Sequence, residues 1–270
     1  MQPILFQQGD VVISSYAACM TLGLIAALAI VALEARQLNI RSALWLDAAL
    51  AAITIGVISA RLGYAAINWA YFKDHIGEVF QLWEGGLAWH AGLIGGSIGA
   101  WLIAHRSHDR SPLSILDLFS IGAPLGIAFA WIGSYLAAVA YGKELYPSGS
   151  FFFLAIDAPD WYGVTNPRWP SQLIGVGWAV VIFALIWLTR RKEWRAGIRF
   201  CLFIATYSFG AFLIGFTRGD DAPLAFGLRL DQVLDGLLVI VAIVSLVSLR
   251  GPRAQPAPID QPRPADGTNP

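Results

Sequence analysis

Long apolar runs, separated by short polar segments, fill most of this chain. A helix needs about 20 mostly apolar residues to cross the hydrocarbon core of a membrane. The second and fourth runs are long enough to be tilted or broken, and Pro124 predicts a kink in the fourth. Seven runs meet the length and predict seven transmembrane helices, at about 12–34, 43–70, 87–105, 114–140, 171–189, 197–217 and 230–249.

Composition agrees with a chain that resides in a membrane. Hydrophobic residues make up 57% of the 270 residues and charged residues only 13%, whereas a soluble domain carries about a quarter charged residues. The sequence therefore predicts an all-α integral membrane protein, with one seven-helix domain over residues 1–250. The tail, 251–270, is rich in proline and is predicted to be disordered. The formal net charge of zero argues against a nucleic-acid partner.

Basic residues are unevenly distributed between the two sets of loops, and cytoplasmic loops carry the excess of lysine and arginine. The segments on one side hold Lys73, Lys143, Arg168, Arg218 and Arg229. The other side holds Arg36, Arg41, Arg106, Arg110, Arg190, Arg191, Lys192, Arg195, Arg199, Arg250, Arg253 and Arg263. This bias predicts an external N-terminus and a cytoplasmic C-terminus. The longest loop, about 141–170, is then external and could cover a site at the outer face.

The two cysteines, Cys19 and Cys201, both lie inside apolar runs without a metal-type partner nearby. Small buried hydrophobic side chains are the expected role for such residues. The two cysteines therefore give no indication of a metal site. The first apolar run is long enough to span the membrane, and no cleavable signal peptide is expected before it.

The stretch "WEGGLAWHAGLIGG", residues 83–96, places one histidine among five glycines at the outer end of the third run. An intramembrane histidine is a functional candidate by default, although His90 could also bond a carbonyl group for packing. Glycines allow a lipid headgroup to approach the backbone closely. For Gly92 and Gly96 the alternative is tight packing between helices. Glu84 could orient His90 or be solvated at the interface.

A second stretch, "SARLGYAAIN" at residues 59–68, embeds Arg61 in an apolar run. An arginine at the centre of a spanning helix costs about 2.5–3.5 kcal/mol on insertion scales. Arg61 lies some way inside the run, which favours a buried phosphate or carboxylate partner over extension to the interface. Asp117, near the cytoplasmic end of its run, could pair with basic loop residues.

These residues resemble a known family. "ARLGY" (60–64), the histidine stretch and "PSQL" (170–173) are similar to prolipoprotein diacylglyceryl transferase, over about residues 12–249. Where the family shows "HGGL", this chain has "HAGL", with Ala91 in place of a glycine. The resemblance implies a multi-pass protein of the bacterial cytoplasmic (inner) membrane. It also implies transfer of diacylglyceryl from phosphatidylglycerol, or a related phospholipid, to the cysteine thiol that follows a prolipoprotein signal peptide.

The chemistry that the resemblance implies requires no metal ion and no cofactor, and it explains the residue types. A thiol is mostly protonated at neutral pH and needs a base, and arginines would hold the phosphate that leaves. The resemblance makes His90 the candidate catalytic residue, as a base or a donor to the headgroup. The candidate substrate-binding residues are Arg61, Tyr64, Glu84, Gly85, Gly86, Gly92, Gly95, Gly142, Lys143, Gln172 and Arg218.

The chain departs from the family pattern at several polar positions. Trp131 and Ala211 stand at two family arginines, and Gly215 stands at a glutamate. Ser134, Ala137 and Val139 replace two asparagines and an acid, and "PSQL" is followed by Ile174 and Gly175 instead of Tyr-Glu. Losing two charged hydrogen bonds, each contributing about 1.5–3 kcal/mol, would slow transfer by a factor of about a hundred to ten thousand. The replacement cations available are Arg61, Lys143, Arg168 and Arg218.

Two hypotheses therefore remain open at this point. One is a diverged transferase with a rebuilt phosphate site. The other is a non-catalytic or re-purposed relative that binds phospholipid or lipoprotein in the same cavity. A transporter would show a chain of intramembrane acids or a repeated half, and the sequence shows neither.

Overall fold

The computed structural model describes residues 4–8, 11–82 and 85–249. Helices dominate this part of the chain, and the strands form three separate two-stranded antiparallel hairpins at its ends and loops. The strands are β1 (Ile4–Gln8), β2 (Val11–Ser14), β3 (Ile156–Pro159), β4 (Thr165–Arg168), β5 (Leu224–Ala225) and β6 (Leu228–Arg229). The helices are α1 (Ser15–Gln37), α2 (Ser42–Ile67), α3 (Trp69–Phe72), α4 (Trp89–Ser107), α5 (Pro112–Leu136), α6 (Ser171–Thr189), α7 (Ile198–Gly215) and α8 (Leu230–Leu249).

The predicted helix bounds agree with the structure where polar segments border the apolar run on both sides, as at α6 and α8. The first helix begins and ends three residues later than predicted, at Ser15 and Gln37. Residues 11–14 belong to β2, and Ser14 caps α1 by accepting a hydrogen bond from the Ala17 N–H at 3.1 Å. The second run divides at Asn68 into α2 and the short α3. The fourth run is one continuous helix that contains Pro124 and ends at Leu136, so the kink expected at that proline stays a prediction.

Six of the described helices are long and apolar enough to cross a membrane: α1, α2, α5, α6, α7 and α8. The chain is therefore a multi-pass membrane protein. Helix α4 has 19 residues but is not among the six, because its glycines, two histidines and Arg106 lower its mean hydropathy. The seventh span and the orientation of the termini stay predictions, and the tail 251–270 lies outside the described residues.

Small residues let α4 pack closely against α2. A Cβ at Gly92 would lie 3.2 Å from the Ala60 Cβ, and one at Gly96 would lie 3.1 Å from the Ala52 carbonyl oxygen. At Gly95 an added Cβ would collide with the Ser59 side chain. Close approach of small residues is the usual basis of helix association in membranes. The packing role considered for these glycines is therefore confirmed.

Gly99, one turn further along α4, gives a test of this packing. A Cβ there would lie 2.7 Å from the Ala51 carbonyl oxygen, which is backbone and cannot rotate away. We expect Gly99→Ala to lower the free energy of unfolding by about 1–3 kcal/mol through overpacking, measured as a lower thermal midpoint in detergent. Gly177→Ala is the matched control, because no atom lies within 4 Å of its Cβ position. Equal midpoints for the two variants would contradict the close packing.

Asp117 fastens α5 to the start of α7. Its carboxylate accepts hydrogen bonds from the backbone N–H groups of Gly197, at 2.8 Å, and Phe200, at 2.7 Å. These N–H groups have no partner inside a helix at its N-terminus, so a carboxylate is a favourable acceptor there. The hydrogen-bond partners are thus backbone groups and not the basic loop side chains that the sequence suggested.

The segment 141–170 is joined to the segment between α7 and α8. The Lys143 N–H donates to the Thr217 carbonyl at 2.8 Å, and the Gly219 N–H donates to the Tyr141 carbonyl at 2.8 Å. Gly142 is needed at this crossing, because a Cβ there would collide with the Trp169 carbonyl. Two loops from distant parts of the sequence therefore hold each other at one end of the bundle.

Candidate active site

A cavity of about 930 Å³ opens between α1, α2, α4, α5, α7 and α8. This volume lies within the range of pockets that bind small molecules and cofactors. Most of the wall is aromatic and aliphatic, with polar side chains gathered toward the segment between α7 and α8. The aromatic members are Tyr16, Tyr64, Trp89, Trp131, Tyr141, Trp161, Tyr162, Phe203 and Tyr207, and the charged or amide members are Arg218, Asp220, Asp221, Asp231, Gln232 and Asp235. The cavity thus combines a large apolar wall with one polar region.

A histidine and an aspartate meet inside the bundle beside this cavity. His90 Nε2 lies 3.2 Å from Asp235 Oδ1, and both side chains are buried. The contact joins α4 to α8, and the Trp89 ring lies 3.9 Å from the imidazole, centroid to centroid. Asp235 and Trp89 line the cavity, whereas the set of described lining residues does not contain His90. The imidazole therefore adjoins the cavity through its aspartate partner.

Arg218 is the cation at the polar region of the cavity wall. Its Nε and Nη2 donate to the two carboxylate oxygens of Asp220, at 2.9 and 2.6 Å, and its Nη1 lies 3.4 Å from Asp231. Burial disfavours the charge, but the Asp220 hydrogen bonds and both carboxylates outweigh it and raise the pKa of Arg218. Arg229 also donates to Asp220, at 3.1 Å. Arg218 is therefore a fixed, permanently charged group.

Tyr141 brings a phenol to the same wall, from the segment that follows α5. Burial, and then the charges of Asp160 and Asp221, raise the pKa of Tyr141. The neutral phenol is favoured, so at neutral pH this group can donate a hydrogen bond into the cavity.

Arg61 is buried as predicted, but its partner is a loop of the backbone. Its Nε donates to the Val79 carbonyl at 2.8 Å, Nη2 to the Glu78 carbonyl at 2.5 Å, and Nη1 to the carbonyls of Gly85 and Gly86. Among the described residues the partners of Arg61 are therefore backbone carbonyls and not a carboxylate, and the phosphate alternative stays a prediction. Gly85 and Gly86 have φ of 82° and 74°, a region that suits glycine. Arg61 thus clamps the segment that leads into α4 and His90.

Replacing Arg61 by lysine tests the clamp. One ammonium cannot reach four carbonyls spread over residues 78–86, and each buried carbonyl left without a donor costs about 1–3 kcal/mol. We expect Arg61→Lys to lower the thermal midpoint and to increase proteolysis between residues 76 and 86. Arg106→Lys, at an exposed arginine of α4, should leave both unchanged. A thermal midpoint equal to that of the wild type in Arg61→Lys would show that a positive charge, without the four guanidinium hydrogen bonds, is enough to hold this segment.

The predicted site residues fall into several groups in the structure. Tyr64, Gly86 and Arg218 line the large cavity, whereas Arg61 and Gly85 line a second cavity of about 300 Å³ that also touches Tyr64 and Gly86. His90 lies beside the large cavity, and Glu84 lies outside the described residues. The described geometry gives the others packing or loop contacts: Gly92, Gly95, Gly142, Lys143 and Gln172.

Two of the predicted substrate-binding residues and one of the candidate replacement cations lie outside the wall of the large cavity. Lys143 is exposed and does not line the large cavity. Gln172 is buried and donates to the Val139 carbonyl at 3.1 Å, which fixes the chain after α5. Arg168, considered as a replacement cation, is bound by Glu144 at 3.0 Å and Asp160 at 3.1 Å. Of the four candidate cations, Arg218 is the one that lines the large cavity.

Five of the positions that depart from the family pattern line the same cavity, whereas Ala137, Ile174 and Gly175 do not. Trp131, Ser134, Val139, Ala211 and Gly215 all belong to its wall. The side chains that sequence reasoning missed are Tyr16, Tyr207, Asp231, Gln232 and Asp235. Asp231, Gln232 and Asp235 could have been found from the sequence, because "LDQVLD" at residues 230–235 places two acids and an amide at the start of an apolar run.

The histidine, cysteine and carboxylate side chains of the described residues lie apart from one another or in pairs. No group of three or more histidine, cysteine, aspartate or glutamate side chains in that part of the chain is arranged to hold a metal ion. Cys19 and Cys201 are both unpaired thiols, half-buried in α1 and α7. The cavity wall contains carboxylates, an arginine, an amide and phenols, which are acid–base and hydrogen-bonding groups.

The fold and the cavity define a class: a multi-pass helical membrane protein with a large internal cavity whose polar region holds one arginine and several carboxylates. A family model described as prolipoprotein diacylglyceryl transferase matches residues 3–248. The chain belongs to the prolipoprotein diacylglyceryl transferase family.

Relatives in several bacteria carry the name phosphatidylglycerol–prolipoprotein diacylglyceryl transferase. A protein of Streptococcus suis is 30% identical over 265 residues, covering 97% of both chains. One from Streptococcus agalactiae is 30% identical over 255 residues, covering 93% of this chain and 96% of the relative. One from Bacillus velezensis is 27% identical over 257 residues, covering 93% of both chains. The similarity therefore extends over nearly the whole length of each relative.

Proposed function

We propose that this chain transfers a diacylglyceryl group from phosphatidylglycerol to the thiol of a prolipoprotein cysteine. Family membership over residues 3–248 carries the proposal, and the names of the relatives supply the donor and the acceptor. The cavity supports it, because an apolar wall suits acyl chains and a polar region suits a headgroup. The re-purposed relative that the substituted positions suggested has no comparable support.

The transfer exchanges one bond for another. The cysteine thiol loses its proton to a base, and the sulfur electron pair forms a bond to the glyceryl carbon that bears the phosphate. The C–O bond to the phosphate breaks, and its electron pair leaves with glycerol phosphate. We assign the base function to the His90–Asp235 pair, and the hydrogen bonds to the departing phosphate to Arg218 and Tyr141. All four groups adjoin or line one cavity.

The remaining polar substitutions are consistent with a rebuilt phosphate site. Trp131 and Ala211 supply no charge at two positions where the family pattern has arginine, and Arg218 alone remains on the cavity wall among the candidate cations. Two further hydrogen-bond donors of the wall, the Tyr141 phenol and the Gln232 amide, add to it. Fewer charged donors imply a slower transfer than in a chain with the full set.

The proposal includes a membrane arrangement. Seven spans, with α4 as the third, would place the N-terminus outside and the C-terminus in the cytoplasm of the bacterial inner membrane. The basic residues between spans support this orientation. The polar region of the cavity, beside Arg218 and Tyr141, would then lie near the outer surface, where the signal peptide of a secreted prolipoprotein emerges.

Direct transfer is the test. The purified full-length chain, in vesicles of phosphatidylglycerol, is incubated with a prolipoprotein peptide, and the thioether-linked product is detected by mass spectrometry. A peptide with serine in place of the acceptor cysteine is the control and should remain unmodified. We expect the cysteine peptide to gain the mass of a diacylglyceryl group. A folded chain that yields no product would contradict the proposal, as would failure to lipidate a reporter in cells depleted of their own transferase.

A further inference from the structure

His90 and Asp235 form a buried pair, and only Asp235 is among the described residues that line the large cavity. Asp235 and Trp89 line the cavity, while His90 is not among the described residues that do so. The imidazole contacts both of them, with Nε2 at 3.2 Å from Asp235 Oδ1 and its ring 3.9 Å from that of Trp89. Both side chains are nearly fully buried, with exposed fractions of 7% for His90 and 3% for Asp235. Asp235 nevertheless belongs to the cavity wall itself, whereas His90 adjoins the wall through Asp235 and Trp89.

We infer that Asp235 is the group that accepts the proton of the substrate thiol, and that His90 is a positioning residue that holds the Asp235 carboxylate from behind. This inference rests on the proposed function and names a catalytic residue within it. Asp235 lies two turns into the last helix, α8, in a position that the resemblance to the family did not identify.

The contact with His90 fits this role. If Asp235 is ionised, Nε2–H of the imidazole donates to Oδ1 and leaves the other carboxylate oxygen for the cavity. A lone carboxylate is a weak base for a thiol, since their ordinary pKa values are about 3.9 and 8.5. The imidazole Nε2–H already donates to Oδ1, so the imidazole holds the carboxylate in place and the other carboxylate oxygen takes the thiol proton.

The reaction then balances at this site. The thiol proton passes to Asp235, and the sulfur electron pair forms the S–C bond to the glyceryl carbon. The C–O bond to the phosphate breaks, and the electron pair of that bond leaves on the phosphate. Arg218 lines the same wall, and its charge can stabilise that phosphate. After the product leaves, the proton held by Asp235 returns to solvent or to the departing phosphate.

Other ionisable groups face the pair from the elements packed around it. Asp231 lies one turn earlier on α8, and Arg218 lies on the segment before that helix. Tyr207 faces the pair from α7, with Tyr16 of α1 beyond it. A pH–rate profile would contain contributions from all of these, so single substitutions at the pair and chemical accessibility give a sharper test.

The first arm of the test compares transfer rates in vesicles of phosphatidylglycerol. We expect Asp235→Asn to lower kcat by at least about 100-fold, the usual contribution of a general base, with KM for phosphatidylglycerol nearly unchanged. His90→Gln, whose amide can still donate to Asp235, should retain more activity than Asp235→Asn. Asp109→Asn, at an exposed carboxylate paired with Arg41, is the control and should match the wild type.

The second arm does not depend on activity. In a chain carrying Cys19→Ala and Cys201→Ala, Asp235→Cys and His90→Cys are treated separately with N-ethylmaleimide. We expect the thiol at position 235 to react several times faster than the thiol at position 90, and phosphatidylglycerol to protect it. Faster reaction at position 90, without protection at position 235, would overturn the inference.

The two arms separate this inference from the proposed function. If the wild-type chain transfers no diacylglyceryl group, the proposed function is refuted, and the catalytic role of Asp235 is refuted with it. A wild-type chain that transfers normally, together with an Asp235→Asn variant of equal kcat, would overturn the role of Asp235 alone. Loss of kcat in Asp235→Asn, together with faster labelling at position 235, would support it.

Discussion

Replacing His90 by alanine is expected to lower diacylglyceryl transfer by a factor of at least about 100, and by as much as about 10,000. The substitution removes the imidazole that holds Asp235 and leaves the Asp235 carboxylate buried without the partner that now lies 3.2 Å away. A buried charge stripped of its partner destabilises a protein by about 3–5 kcal/mol. The rate and the thermal midpoint should therefore both fall.

His90→Gln separates these two effects. Glutamine has a similar length and an amide N–H that can bond Asp235, so the thermal midpoint should stay close to that of the wild type. The amide does not hold Asp235 in the geometry that the imidazole gives, so the transfer rate should lie between those of His90→Ala and the wild type, measured with phosphatidylglycerol and the prolipoprotein peptide. Unchanged transfer in membranes carrying His90→Ala would reject any part for this residue in the reaction.

Replacing Arg218 by alanine should have an effect of similar size. Loss of one hydrogen-bond donor to a developing negative charge lowers kcat by about 100- to 1,000-fold in other enzymes. Arg218 also neutralises Asp220 and Asp231, so the polar region of the cavity would become strongly negative without it. An anionic phosphate would then be repelled, and KM for phosphatidylglycerol should rise together with the fall in kcat.

Two further variants control for loss of the ion pairs. Arg229→Lys weakens a second partner of Asp220 at a residue that does not line the large cavity, and it should leave the rate close to that of the wild type. Arg218→Lys keeps the charge but cannot donate to both oxygens of Asp220, so an intermediate rate is expected. If Arg229→Lys and Arg218→Ala slow transfer equally, the effect comes from Asp220 and not from the phosphate.

The length of the apolar runs predicted the long helices well, but it gave the correct ends for only some of them. The bounds of α6 and α8 agree with the apolar runs, because a polar segment borders each. Apolar strand residues precede α1, and Val11–Ser14 differ little in hydropathy from the helix they join. Length and hydropathy cannot separate a short apolar strand from the first turn of a spanning helix.

The site was less accessible to sequence reasoning, and the reason differs between residues. Arg61 was recognised as buried, but backbone carbonyls leave no trace in a sequence, so the Gly85 and Gly86 acceptors could not be foreseen. Asp235 is an acid within an apolar run and should have drawn attention as His90 did. Its contact with His90 joins residues 145 positions apart, and helix periodicity does not specify such pairs.

The glycines that bring α4 close to α2 also lower the mean hydropathy of α4. Among the described helices of 18 residues or more, α4 is the one that is not a candidate span. Such a sequence partitions poorly into lipid by itself. We expect α4 to enter the bilayer only together with its neighbours during synthesis, so a truncated chain ending after Ser107 should leave this hairpin partly untranslocated. The imidazole would then reach its final depth late, when α8 arrives with the carboxylate that meets it.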